Sequence, residues 1–566
     1  MTTSTSPLKR EILLASFIAL IATLLAFRSL LTVDPENYLW ADDFDPKFLR
    51  WTAEWGYYAL AQKHSLTLFW NAPIFFPHQN TLAYSDSLLT LQAIYSPLRL
   101  LGIQPHTALF LSLALFSIAG YCLTFHLLRK LKIYSKIECF IISYAAHFSL
   151  VIWCFLPHYQ LFGFHLAPPF LLSLYLFLSR LELKWLVLAE LLFVLGSCFS
   201  VYLGPSLLVL SVVVALCALP RFSGDLPIRR VLKLAIPALI ISFILGAALY
   251  LAHHQYYAKM VKSTQEQSIE EIITYSANPS SIVSGRSIHS FWWKPYGGGY
   301  SKAGDWERAY FPGFLLLIGA ALGLWSLMLP IKKSTESELR YLYFFAFGVG
   351  ASALVLSWGP TVDGHKAPFY LLAKLIPILK NTRAMGRFGI FLGLPLGIFL
   401  VAALRGATGI FGDKRRLMAC RVLGAITLIL LAIESLPTGR VLPYSEPFKE
   451  RHKFLATLIK PDTPVVELPC HGDGHFETIK TILGQMNGAL HHHGRLVVGY
   501  SGRSSDETSQ LIHLDQQLAA GKLSWSEILA KIKALGVSAV LIHTEKYSAE
   551  VAGGLNDEVA KEAGFR

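Results

Sequence analysis

Apolar residues along this chain come in long unbroken runs. Such runs fall near 11–31, 107–128, 137–157, 160–179, 184–200, 203–219, 232–252, 311–330, 341–359, 386–404 and 417–436. A helix needs about 20 residues to cross the hydrocarbon of a bilayer, and its backbone groups must pair internally there. Each run therefore predicts a membrane-spanning helix, about eleven in all. Gly196, Gly204 and Pro205 interrupt the pair at 184–219, which predicts two short tilted helices or a re-entrant pair. After residue 436 the pattern changes. "TPVVELP" (463–469) and "VSAVLIHT" (537–544) read as strands, and "SWSEILAKIKALG" (524–536) as an amphipathic helix closing on Gly536. The expected fold class is an α-helical multi-pass membrane protein over 1–436, including outer loops 32–106 and 253–310. A small α/β domain follows over 437–566.

Composition agrees. Of 566 residues, 53% are hydrophobic and 15% charged, and the mean hydropathy is +0.46; this excludes a soluble globular protein. The net charge of +13 does not point to nucleic acid, because the bases concentrate in alternate loops. "RKLKIYSK" (129–136), "RLELK" (180–184), "RFSGDLPIRRVLK" (221–233), "KKSTESELR" (332–340) and "RGATGIFGDKRR" (405–416) all fall on the side of Lys9 and Arg10. Segment 32–87, on the other side, carries seven acids against three bases. Basic loops stay cytoplasmic, so the N-terminus is expected in the cytosol. Loops 32–106, 253–310 and 360–385, and everything after 436, are expected outside. Lys9-Arg10 and the run after them resemble a secretion signal, but no small-x-small cleavage site follows, so an uncleaved first span is expected. The seven cysteines form no CxxC pair. Neither the phosphate-binding glycine loop, GxSxG nor HExxH occurs, which leaves nucleotide hydrolysis and the commonest hydrolase plans without support.

The outer segments hold the chemistry. "WADDFDPKFLRW" (40–51) sets Asp42, Asp43 and Asp45 just after the first span, and Asp86 follows in "AYSDSLL". Trp51, Trp55 and Tyr58 share one helix face at i, i+4 and i+7, which suits the membrane interface. In "LKNTRAMGRFG" (379–389), Arg383 and Arg387 stand at i, i+4 on a helix entering the membrane from outside. The guanidinium fork matches phosphate oxygens, though long basic side chains also snorkel to interfaces. Lys294 and Arg308 are further cations in a glycine- and aromatic-rich loop. His158 and Gln160 lie at the outer end of the third and fourth spans with His165 deeper, and polar groups at such depth are functional candidates. Glu190 and Glu434 sit within apolar runs, where they would pair between helices. "PCHGDGHFET" and "ALHHHGRL" offer Cys470, His471, Asp473, His475 and His491 to His493, without an established zinc-ligand spacing.

Several stretches resemble a group of bacterial membrane proteins classed with the GT-C integral-membrane glycosyltransferases. These are "DPKFLRWTAEWGYYAL" (45–60), "WNAPIFFPHQNTLAYSDSLL" (70–89), "LPHYQLFGFHLAPPFLL" (156–172), "NTRAMGRFGIF" (381–391), and "VVELP" with "VVGYSG" (465–469 and 497–502). The resemblance runs over nearly the whole chain. It implies transfer of a sugar from a polyprenyl-phosphate donor to an extracytoplasmic glycan, lipid or protein, with inversion, at the bacterial inner membrane. Asp45, the acid before the proline, is then the base that takes the acceptor's proton. Asp86 is a second acid or metal ligand, and Asp43 a lesser candidate. Arg383, Arg387, His158 and Gln160 would meet the donor. Such enzymes differ in metal use, so magnesium or manganese is an open expectation. The competing structural reading of Asp45 is a helix cap ahead of Pro46. Two competing functions stand beside the transferase: a transporter or flippase for a lipid-linked glycan, and a non-catalytic assembly factor on the same scaffold. Against a transporter, ionisable residues collect in the outer loops and no duplicated halves stand out.

Overall fold

The structure is a computed structural model. It describes residues 7–40, 43–153, 155, 157–222, 228–263, 268–283, 305–327, 336–362, 365–375, 382–408, 413–437, 441–446, 448–501 and 503–559. The chain divides into two compact units. The first comprises Met1–Val33, Phe110–Tyr250 and Glu266–Val441; the second comprises Asp34–Leu109, Leu251–Gln265 and Leu442–Arg566.

The first unit is a helix bundle. Among the described residues of the whole chain, seven helices are long and apolar enough to cross a membrane: Pro105–Leu131, Lys136–Trp153, Tyr159–Arg180, Leu234–Met260, Glu338–Ser357, Met385–Thr408 and Arg415–Glu434. Leu203–Ala218 and Phe314–Leu327 are shorter apolar helices. The pair Leu183–Phe199 and Leu203–Ala218 has 17 and 16 residues, about 25 Å of rise each. Apolar side chains facing outward, such as Leu239, Phe243, Ile318 and Trp325, suit a lipid solvent.

Small residues set the closest helix contact. Gly319 and Gly323, four apart on Phe314–Leu327, lie against Leu400 and Phe399 of the helix Gly393–Thr408, and a Cβ on Gly323 would come 2.0 Å from the Phe399 carbonyl oxygen. Gly406 meets Ser326 further along, so the two helices run parallel and Glu336–Ser357 returns the chain between them. Such small-xxx-small packing lets backbones approach where lipid supplies no hydrophobic drive.

Charge separates along the bundle. Near the C-terminal end of Gly393–Thr408, Arg405 Nε and Nη2 donate to Glu138 at 2.6 and 2.9 Å, and Arg129 and Lys136 pair with Glu11 at 3.0 and 2.8 Å. The N-terminal end of the same helix is reached through an eight-residue 3-10 stretch, Met385–Leu392. A second eight-residue 3-10 stretch, Tyr159–Leu166, leads into Ala167–Arg180 in the same manner. The residues before the two stretches share one backbone conformation, φ −94, ψ 78 at His158 and φ −95, ψ 80 at Ala384. Their sequences align as "FGFHLAPP" and "FGIFLGLP", and Phe164 packs on Phe391 with centroids 4.9 Å apart.

In the second unit the helix Asp45–Gly56 runs on as a π-helical stretch, Tyr57–Gln62. Trp51 and Trp55 are at most 1% exposed, and Trp55 Nε1 donates to the Phe69 carbonyl at 2.9 Å. The aromatic face that the spacing assigns to a lipid interface is therefore turned into protein. The rest of the unit holds a parallel sheet of three strands, Arg495–Leu496, Pro464–Leu468 and Ala539–Ile542, with Pro464–Leu468 central and Val465 paired with Ala539. Helices His475–His492, Asp506–Ala519 and Trp525–Ala534 accompany it. Ser524 and Glu527 form a capping box on Trp525–Ala534. Gly536, at φ +78, stands just past its end, as the sequence expects of a residue free to adopt the left-handed region.

Candidate functional site

The second unit holds Asp43, Asp45 and Asp86. Asp45 lies in the first turn of its helix, behind an N-cap position filled by Phe44, which offers no capping side chain. The half-buried carboxylate takes a hydrogen bond from the Tyr500 hydroxyl at 2.9 Å, and the Tyr500 ring packs edge-on against Phe48. Arg50 anchors this helix from one turn further on. Its Nη1 donates to the Tyr444 hydroxyl at 2.5 Å and to Asn487 Oδ1 at 2.8 Å, and its Nη2 donates to Glu446 at 2.8 Å. Burial alone would raise the Glu446 pKa; His491, Arg50 and Lys449 outweigh it and hold the carboxyl far below its ordinary range. Asp43 is engaged by Lys47 at 2.6 Å and faces Lys480 at 3.9 Å. Asp86 is 2% exposed, in irregular chain after the 3-10 turn Thr81–Tyr84. Asp42 lies outside the described residues. Among those residues the three acids do not converge as a metal-ligand set; the group that does is elsewhere.

The first unit holds the cations. Arg383 and Arg387 do not share a helix face: Arg383 precedes the 3-10 stretch, whose three residues per turn replace the expected α-helical spacing. Each has its own carboxylate. Arg387 grips Glu307 through Nε at 3.0 Å and Nη2 at 2.8 Å, and its guanidinium lies 4.5 Å from the Tyr202 ring centroid. His158 Nε2 meets the same carboxylate at 3.0 Å. Burial alone would raise the Glu307 pKa; Arg387 and His158 reverse this and hold it well below the usual carboxylate range. Arg383 meets Glu271 at 3.3 Å and covers the Tyr275 ring. So the structure unites His158 and Arg387 through Glu307, an acid that the sequence reading passes over. Its signal was one of two acids in "DWERAYFPG", just ahead of an apolar run. Gln160 is the second residue of the first 3-10 stretch, 6% exposed, and its Oε1 has no partner among the described residues; a bound water or hydroxyl would satisfy such an atom.

The remaining polar candidates have structural employment. Arg308 Nε donates to the Thr274 carbonyl at 2.8 Å, closing a short helix; Lys294 lies outside the described residues. Glu434 accepts from the Phe314 and Leu315 amides at 2.6 and 3.1 Å, satisfying a neighbouring helix N-terminus. Glu190 accepts from the Ser242 hydroxyl. His165 belongs to a fully buried chain: its Nδ1 and that of His147 are 2.9 Å apart, Thr124 meets His147 Nε2 at 2.7 Å, and Ser117 meets His165 Nε2 at 2.9 Å.

Among solved structures, the chain is similar in fold to the cryo-EM structure of the arabinofuranosyltransferase AftD from mycobacteria, matched at a TM-score of 0.54 and 15% identity over 94% of this chain and 35% of that one. A second structure, of a mutant of the same enzyme, gives the same TM-score and identity over 94% and 36%. The chain thus spans about a third of the length of the protein it matches. No family model and no curated protein matches the sequence.

Proposed function

We propose that this protein is a GT-C-type membrane glycosyltransferase that moves a sugar from a polyprenyl-phosphate donor to an extracytoplasmic glycan, lipid or protein. The observation that carries this reading is the glycosyltransferase fold shared over 94% of the chain. The hydrogen-bonded acid at the start of the helix Asp45–Gly56 supports it. In the proposed step an acceptor hydroxyl attacks the anomeric carbon and gives its proton to Asp45. The bond from that carbon to the phosphate oxygen breaks on the opposite face, so the configuration inverts and the electron pair leaves with the polyprenyl phosphate. Tyr500 is a positioning residue that orients the Asp45 carboxylate.

Arg383 is the better assigned donor-phosphate contact, because its pairing with Glu271 is longer and more exposed than the bidentate, buried grip of Arg387 on Glu307. Within the first unit His158 and Arg387 then hold Glu307, and Gln160 offers an acceptor to a donor hydroxyl. Asp86 is the second acid, or the ligand of a magnesium or manganese ion, and Asp43, paired with Lys47 at 2.6 Å, is the lesser candidate. The same reading carries eleven crossings, a cytoplasmic N-terminus, an outward α/β region after 436, and the bacterial inner membrane.

The test is product formation by Asp45→Asn at matched protein level. Loss of a general base lowers the rate by about 10²–10⁴-fold, and Tyr500→Phe should cost less. An Asp45→Asn protein as active as wild type would remove Asp45 from the mechanism. Purified protein in detergent should consume a polyprenyl-phosphate sugar; activity confined to sealed bilayers would favour a flippase instead.

A further inference from the structure

The sheet-bearing part of the second unit contains a cluster of ionisable groups that this reaction leaves unused. The central strand reads "PVVEL". Its Glu467 is 2% exposed, a carboxylate at a position where a parallel sheet ordinarily places an apolar side chain. Two imidazoles close on it. His452 Nε2 lies 3.0 and 3.1 Å from the two carboxylate oxygens, and His543 Nε2 lies 2.6 Å from Oε1. The three residues come from separate elements: the helix Lys449–Leu458, the central strand, and the position after the strand Ala539–Ile542. All three are buried, and one ligand atom from each lies within 4.8 Å of the other two.

A buried carboxylate is retained when it is paired or bound to a metal. Here its side-chain partners are imidazoles, and their protonation can be followed. Arg451 Nη1 donates to His543 Nδ1 at 2.8 Å, so the His543 proton sits on Nε2 and points at Glu467. His452, Glu467 and His543 are each at most 2% exposed. A third imidazole stands beside them. His492, 2% exposed, accepts the Gly494 N–H on Nδ1 at 2.9 Å, so its proton is on Nε2, and that buried Nε2 has no partner among the described residues. Its centroid is 5.9 Å from that of His452.

We propose that His452, Glu467 and His543 bind a divalent transition-metal ion, zinc in preference to magnesium or calcium, which fastens the helix Lys449–Leu458 to the sheet. Two imidazoles and a carboxylate are a zinc donor set, with bonds of about 2.0–2.2 Å. Tetrahedral bonds of that length place ligand atoms about 3.3 Å apart, so His452 and Glu467 already stand near their ligating separation, and His543 shifts modestly. Each ring moves its proton from Nε2 to Nδ1 and gives the Nε2 lone pair to the ion. Arg451 must then release His543 Nδ1; it is half exposed and retains Glu545 as a partner. A water completes the coordination and gives His492 Nε2–H the acceptor it lacks among those residues. Arg451 is thus a built-in competitor of the ion.

The experiment uses full-length protein purified in detergent through a tag without histidines. Elemental analysis should find about one zinc per chain. A strong chelator should lower the melting temperature and added zinc restore it, and cobalt(II) should give the visible absorption of a tetrahedral site. Glu467→Gln and His452→Gln should lose the ion, and Arg451→Ala should bind it more tightly. Because the ligand variants can fail to fold, the chelation and re-addition cycle on the wild-type chain decides by itself. A chain that holds no zinc as purified, takes up neither zinc nor cobalt, and melts identically with and without chelator would overturn the proposal. Zinc retained by the combined Glu467→Gln and His452→Gln chain would do so equally.

Discussion

Replacing Glu307 with glutamine should be among the most damaging single changes in the helix bundle. Three nitrogens converge on this carboxylate at 2.8–3.0 Å, two from Arg387 and one from His158, and Glu307 and Arg387 are each 3% exposed. Glutamine keeps the shape but supplies one acceptor oxygen where two are in use, and its amide would face an Arg387 N–H. The guanidinium would then be buried without a counter-charge, a loss of about 3–5 kcal/mol. The assay is a double-mutant cycle by thermal melting in detergent, with Glu307→Gln, Arg387→Met and the two together. Each single change should destabilise strongly. The combined protein should be less unstable than the sum of the two, because it buries no unpaired charge. Sums that add, or single variants within about 0.5 kcal/mol of wild type, would refute the argument. The pH dependence has a definite sign. The Glu307 pKa is lowered on folding, so its contribution is present above the unfolded value of about 4.3 and is lost only as pH falls through the lower folded value.

Other substitutions probe separate parts of the chain. Gly323→Ala should destabilise the bundle by about 1–3 kcal/mol, since the new methyl meets the Phe399 backbone; Gly319→Ala should cost less, because it meets a Leu400 side chain that can move. Melting temperatures of the two purified variants would show the difference. His471 donates to Asp515 at 2.6 Å, and that bond raises its pKa against the opposing effect of burial. Its stabilisation is complete below the unfolded value of about 6.5 and fades as pH rises through the higher folded value. Melting curves across that window should fall for wild type and stay flatter for His471→Gln.

Much of the helical plan could be read from run length alone, since about 20 apolar residues have few other uses. The 3-10 stretches could not. Over eight mostly apolar residues a repeat of three and one of 3.6 differ by less than a turn, and the prolines that follow, Pro168 and Pro395, suit the first turn of a new helix as well as a kink. Trp51 and Trp55 misled because an interfacial ring and a core ring produce the same spacing. Asp45 was conspicuous through its acid–proline step; its partner Tyr500, 455 positions away, was not. Glu307 and the His452–Glu467–His543 triad escaped for the same reason: their partners are 80 to 149 positions off in one case and 15 and 76 in the other. No local motif encodes a meeting of that kind.

The two matching 3-10 stretches have a mechanical corollary. At about 2.0 Å of rise per residue against about 1.5 Å in an α-helix, eight residues extend roughly 4 Å further than the same residues would if wound in α form. Rewinding Met385–Leu392 would draw the chain ahead of it inward by that distance and change the bearing of Arg387 on Glu307. The stretch is a short reserve of slack, and the ion pair at Arg387 is the catch that keeps it paid out.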